Sequence, residues 1–148
     1  MNKKTIVLSS DHAGFDLKQA FKTYLENKHY KVIDLGTSSK DKPSSYARQG
    51  QLLAKEVQKH QTEELGIGIC GTGIGISIAV NRFDNIRGAR ITSIADAKLA
   101  KTHNDANILL FGSREVSQEQ AFKMFEEFEK NQFEGQRHEV RIKQLEDK

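Results

Sequence analysis

The sequence predicts an α/β fold in which helices cover both faces of a five-stranded parallel sheet. Two observations carry this. Short apolar runs alternate with longer amphipathic stretches, and polar or glycine-rich turns separate them. A length of 148 residues fits one domain with one core. No internal repeat, low-complexity tract or proline-rich linker divides the chain.

In chain order, Thr5–Ser9 reads as a strand, followed by a helix over Phe15–Lys28 with Phe15, Phe21, Tyr24 and Leu25 toward the core. Lys31–Leu35 is a second strand, and Tyr46–Lys59 a second helix carrying Leu52, Leu53 and Val57. Leu65–Ile69 is a third strand, closed by Cys70 and followed by a glycine-rich turn into Ile74–Asn81. Arg87–Thr92, a helix over Asp96–Thr102 and a strand over Ala106–Phe111 continue the alternation. Helices over Gln118–Gln132 and Arg137–Glu146 complete it.

Ligands of parallel α/β sheets bind beyond the carboxyl ends of the strands, where the strand order reverses. This rule selects Ser10-Asp11-His12, the run Cys70-Gly71-Thr72-Gly73-Ile74-Gly75, and Ser113-Arg114. The longest loop, Gly36 to Tyr46, leaves the second strand and holds the only proline, Pro43. Between a strand and a helix, Gly71, Gly73 and Gly75 suit backbone N–H groups converging on an anion. They equally suit a tight turn with close helix–sheet packing. The phosphate loop ending Gly-Lys-Ser/Thr is absent, and the G-x-G-x-x-G match at Gly66–Gly71 falls inside a strand.

Cys70 is either a buried small hydrophobe or, ahead of a helix N-terminus, a base or nucleophile. His12 beside Asp11 reaches the same strand end, unless the pair is a local turn feature, whereas His29 and His60 read as solvated residues without a role. His103, before the fifth strand, lies toward the amino end of the sheet; it is structural or completes the site of a second subunit. Arg137 and Arg141 share a helix face that suits a phosphate, or a solvated face paired with Glu134 and Glu139. No set of side chains has zinc spacing and no G-x-S-x-G motif occurs, so no metal is expected.

Composition excludes other classes. Against 23 Lys and Arg stand 20 Asp and Glu, interspersed, which argues against a nucleic-acid binder. Apolar runs such as Ile108–Phe111 fall far short of the ~20 residues of a membrane span. Lys3 and Lys4 precede an apolar stretch cut by Ser9, Ser10 and Asp11, which is no signal peptide. A single cysteine points to the cytoplasm.

Five motifs together resemble type B ribose-5-phosphate isomerase, a family that also holds galactose-6-phosphate isomerase subunits. They are Ser10-Asp11-His12-Ala13-Gly14-Phe15, Ile69-Cys70-Gly71-Thr72-Gly73-Ile74-Gly75-Ile76-Ser77, His103-Asn104-Asp105-Ala106-Asn107, Gly112-Ser113-Arg114 and Phe133-Glu134-Gly135-Gln136-Arg137-His138. The resemblance extends from about Lys4 to Ile142. It implies a Rossmann-like three-layer α/β/α sandwich over 1–148, assembled as a homodimer or dimer of dimers with shared active sites. The implied reaction interconverts ribose 5-phosphate and ribulose 5-phosphate through a cis-enediolate, without cofactor, in the pentose phosphate pathway. On that resemblance Cys70 is the base, and His103 of a neighbouring subunit assists ring opening. Asp11 and Thr72 lie near the sugar hydroxyls, Asn104 helps hold the enediolate, and the N–H groups from Gly71 through Gly73 and Ile74 to Gly75 face the oxyanion. His12, Arg114, Arg137 and Arg141 match phosphate-binding or phosphate-proximal positions, the last two placed by the helix 137–146. Tyr46 matches a family tyrosine, but Pro43 replaces a second one and alters the loop beside the sugar. Two other readings are an isomerase of allose or galactose 6-phosphate and a non-catalytic sugar-phosphate-binding module.

Overall fold

The computed structural model describes residues 3–148. The strands are β1 (Thr5–Ser10), β2 (Val32–Asp34), β3 (Glu64–Cys70), β4 (Gly88–Arg90) and β5 (Ile108–Gly112). The helices are α1 (Phe15–Asn27), α2 (Tyr46–Lys59), α3 (Ile74–Val80), α4 (Ile94–Thr102), α5 (Gln118–Lys130) and α6 (Arg137–Gln144), with a 3-10 turn over His12–Gly14 ahead of α1. The strands form one sheet in the order β2-β1-β3-β5-β4, with every neighbouring pair parallel. The expected fold is therefore the observed one. Order reverses between β1 and β3, which puts the exits of β1, β3 and β5 side by side at the sheet centre.

Alternation along each strand sorts side chains to two cores. Ile6, Leu8, Leu109 and Phe111 pack under α1, α4 and α5 with Phe21, Ala97 and Phe125. Val7, Ile108 and Leu110 face the other way, under α2 and α3, with Leu53, Val57 and Ile76. Phe21 anchors the first core, its ring centroid 5.4 Å from Phe111 and 5.2 Å from Phe122. Lys18 is buried in this layer because both Asp34 oxygens meet its Nζ at 2.9 and 2.8 Å.

Four local expectations are corrected. Leu52 points to solvent, 48% exposed, because Leu53 and Val57 already fill the strip of α2 that meets the sheet. Phe15 is only half-buried, at the first turn of α1, where it lies beneath the Lys18 ammonium. The edge strands β2 and β4 are shorter than their apolar runs, since each has a neighbour on one side only. α4 starts two residues early because the Ser93 hydroxyl accepts the Asp96 N–H and caps it. The glycines within β3 admit the neighbouring helix: a Cβ on Gly68 would meet Leu110 Cδ1 at 2.8 Å and Leu53 Cδ2 at 2.9 Å.

The exits of β3 and β5 pass in direct contact. Cys70 O accepts the Ser113 N–H at 2.9 Å, and Gly71 O accepts the Arg114 N–H at 3.0 Å. The Ser113 hydroxyl donates to Ala13 O at 2.8 Å, tying in the exit of β1. A Cβ on Gly112 would lie 2.5 Å from both the carbonyl carbon and the oxygen of Thr72. These are backbone atoms and cannot swing aside, so Gly112→Ala is expected to destabilise the fold by about 1–3 kcal/mol. A urea titration measures this as a lower midpoint at unchanged slope. A midpoint equal to that of the parent would refute the close-contact reading.

Candidate active site

The carboxyl end of the sheet opens into a cavity of about 500 Å³. Its floor is Cys70 through Gly75 at the exit of β3; Asp11 and His12 form one wall, Arg114 another, and Tyr46 and Ile78 the rim. The segments selected by the strand-exit rule line this one cavity, and most of the expected site residues meet here.

Cys70, the last residue of β3, is 4% exposed. Its Sγ accepts the Gly73 N–H at 3.2 Å. Gly73 has φ +79°, the left-handed turn that a side chain would strain, and this turn aims its N–H back at the sulfur. The Thr72 hydroxyl accepts the Ile74 N–H at 3.2 Å. Two of the N–H groups expected to face a ligand are therefore engaged by the loop's own side chains, which are the nearest acceptors in so tight a turn. The ring of Tyr46, at the first turn of α2, lies over Gly75, where a Cβ would meet its Cε1 at 2.7 Å.

Asp11 is buried, and its Oδ1 accepts the Gly14 N–H at 3.1 Å, capping the 3-10 turn. His12 is exposed to the cavity, with Nδ1 held 3.1 Å from the Ser44 nitrogen and 3.3 Å from the Ser44 oxygen. The long loop after β2 is thereby fastened to the cavity wall. The same loop is fixed at its start by the Asp34 carboxylate, which accepts the Gly36 N–H at 2.9 Å. The Arg114 guanidinium packs against Gly71.

His103, Asn104, His138 and Arg141 line a second, smaller cavity of about 230 Å³ that shares no residue with the first. His103 caps the C-terminus of α4, and its ring stacks on that of His138 at 4.2 Å and 16°. The Glu134 N–H donates to Thr102 O at 3.0 Å, and Gly135 and Gln136, both at positive φ, turn the chain into α6. Glu134 Oε1 then lies 3.6 Å from His138 Nε2 and 3.9 Å from His103 Nε2. As expected, His103 stands apart from Cys70 within one chain.

Burial, then the charges of Arg137 and His103, hold His138 below the usual imidazole range; Glu134 opposes this and Arg141 adds to it. Burial disfavours a charge of either sign, and only the charges of Arg137, His103 and Arg141 among these causes favour an anion. Glu139 pairs with Lys143, and among the described residues neither Arg137 nor Arg141 forms an ion pair. Of the two readings of this face, pairing with Glu134 and Glu139 is not the one observed. His138 went unassigned in sequence reasoning, and only its place in the motif beside Arg137 marked it.

Two groups of possible metal donors meet in the fold. Donor atoms of His103, Glu134 and His138 lie within 4.8 Å of one another, as do those of Glu56, His60 and Glu64. In the first set Glu134, in the turn before α6, and His138 of α6 meet His103 at the end of α4; in the second, Glu56 of α2, His60 at its cap and Glu64 of β3 follow one another at intervals of four residues. Beside Arg137 and Arg141, the first set is poorly placed for a cation.

The sequence model of the ribose/galactose isomerase family matches residues 6–145. Ribose-5-phosphate isomerase B of Escherichia coli is 38% identical over 142 residues, which span 96% of this chain and 94% of that one. The structure of a ribose 5-phosphate isomerase from Thermotoga maritima superimposes with a TM-score of 0.94 at 37% identity, covering 99% of this chain and 100% of the other. That of ribose-5-phosphate isomerase B from Mycoplasma genitalium with bound ribulose-5-phosphate does so at 0.94 and 35%, covering 99% and 97%. Sheet order, strand-exit cavity and sequence agree: the chain belongs to the ribose/galactose isomerase family, whose members are aldose–ketose isomerases.

Proposed function

We propose that the protein interconverts ribose 5-phosphate and ribulose 5-phosphate, in the cytoplasm and in the non-oxidative pentose phosphate pathway. The observation that carries this reading is the placement of Cys70 on the floor of the strand-exit cavity, with an N–H donor aimed at its sulfur. The likeness to a relative holding ribulose-5-phosphate supports the substrate.

In this reading Cys70 takes the proton from C2 of the open-chain aldose and returns it to C1, while the hydroxyl proton passes from O2 to O1. The cis-enediolate between these steps carries negative charge next to the first turn of α3. Donors placed there lower the barrier; one such donor is typically worth about 3 kcal/mol. Asp11 and Thr72 hold the sugar hydroxyls, and Tyr46 closes the rim. No cofactor takes part, since the proton moves within one substrate molecule.

His103 opens the furanose ring as a general acid–base group and Asn104 steadies the enediolate, both from a second copy of the chain. The two-cavity layout supports this: each chain carries a base without a ring-opening histidine beside it, and the reverse elsewhere. The phosphate lies between His12 and Arg114 of one chain and Arg137 and Arg141 of the other, with His138 behind them. A homodimer is the smallest assembly that satisfies this arrangement.

Cys70→Ala is expected to lower kcat by about 10³-fold or more while ribose 5-phosphate still binds. Coupled spectrophotometric turnover measures it, and near-normal kcat would remove Cys70 from the role of base. Arg141→Ala is expected to raise KM about tenfold or more with a smaller change in kcat, since a charge-assisted phosphate contact is lost. An unchanged KM would place the phosphate elsewhere. Mixed dimers of Cys70→Ala and His103→Ala chains should regain activity, one intact site in each, where either variant alone has almost none. Inactive dimers of verified mixed composition would confine the site to one chain.

The deciding experiment is turnover of ribose 5-phosphate in EDTA with no added cofactor, beside allose and galactose 6-phosphates. Conversion of the pentose is expected. Turnover of a hexose alone would keep the mechanism and move the substrate, pointing to the loop that holds Pro43.

A further inference from the structure

We infer that Glu56, His60 and Glu64 form a binding site for one zinc-class divalent cation at the amino end of the sheet, opposite the catalytic cavity. Glu56 lies in the last turn of α2, His60 caps that helix, and Glu64 is the first residue of β3. From Glu64 to Cys70 the strand spans about 20 Å at its usual rise, so the two sites are separate.

Three observations support a cation here. His60 Nδ1 lies 3.1 Å from Glu56 Oε2 and 3.5 Å from Glu64 Oε1. Ligands held ~2.0–2.1 Å from a tetrahedral zinc stand about 3.3 Å from one another, so these separations need little adjustment. Second, Glu64 is 5% exposed, and among the described residues its Oε1 is buried without a hydrogen bond, the nearest basic group being His60 Nδ1 at 3.5 Å. A buried carboxylate oxygen left unpaired is costly, and a cation would remove that cost. Third, Glu63 adds a further negative charge that bears on both His60 and Glu64.

The donor set selects the cation. One imidazole with two carboxylates and no thiolate suits Zn²⁺ and its first-row neighbours, whereas Mg²⁺ and Ca²⁺ favour all-oxygen sets. Three protein ligands leave the fourth position to water. The two glutamates supply two negative charges against the ion's two positive ones. Bound there, the ion clamps the end of α2 to the start of β3 and acts as a staple.

The test is equilibrium dialysis of the full-length protein against micromolar ZnCl₂, comparing the parent chain with Glu64→Gln and His60→Ala. Free thiols and imidazoles elsewhere in a chain can take up zinc as well, so the readout is the difference: each variant is expected to bind one equivalent less. Thermal denaturation gives an independent measure. Saturating zinc should raise the parent's midpoint by about 5 °C or more and leave both variants within about 1 °C, and MgCl₂ should do nothing. His60 is exposed, so His60→Ala keeps the test valid if Glu64→Gln folds poorly. In EDTA, turnover by His60→Ala should equal the parent's, which separates this site from the catalytic reading. Equal zinc stoichiometry in parent and His60→Ala, or an equal zinc-induced shift, would overturn the proposal.

Discussion

The carboxyl end of the sheet depends on one close approach: the backbone leaving β3 runs against the backbone leaving β5 with no side chain between them. Gly112 makes room for Thr72, while Gly73 turns left-handed, and Cys70 O and Gly71 O receive the N–H groups of Ser113 and Arg114. Strand pairing ends at Cys70 and Gly112, so these bonds extend the sheet's order past its last paired residues. Ser113 carries the tie onward to Ala13 at the exit of β1. Three loops that would each be mobile alone become one rigid floor. A floor of this kind holds the Cys70 sulfur and the Gly73 N–H in register.

The walls are fixed by polar contacts. Lys18, buried under α1, is neutralised by Asp34, and the same carboxylate receives the Gly36 N–H at the head of the long loop. Farther along, His12 holds Ser44, and the Ser45 hydroxyl then caps α2, which carries Tyr46 to the rim. The Ser9 hydroxyl donates to Gln49 in both its backbone and its side chain, pressing the start of α2 onto β1. The one proline thus sits in a loop anchored at both ends, where it shapes the rim and leaves the floor untouched.

Much of this was legible in the sequence, for a physical reason. The alternation of apolar runs with amphipathic stretches records burial, and burial in a parallel sheet fixes which strand ends meet. Asp11, Cys70 and Arg114 could therefore be brought together before any coordinates. Contacts set by chain direction after a turn were not legible. His138 reaches His103 because Gly135 and Gln136 reverse the chain at positive φ, and nothing in periodicity encodes that reversal. His60 read as a solvated helix end because its partner Glu64 belongs to a strand that begins after a short turn. The same limit hid the exposed face of Leu52: the width of the strip that α2 buries depends on how closely glycines in β3 let it approach.

The solitude of Cys70 has a consequence of another kind. It is the only sulfhydryl in the chain, nearly enclosed, with a backbone donor against its sulfur. A sulfenic acid formed there finds no second thiol in its own chain to trap it as a disulfide. Repair then falls to an external thiol able to enter the cavity, and without one oxidation proceeds to the irreversible sulfinic form. A floor rigid enough to orient one sulfur leaves that sulfur without a molecular safeguard of its own.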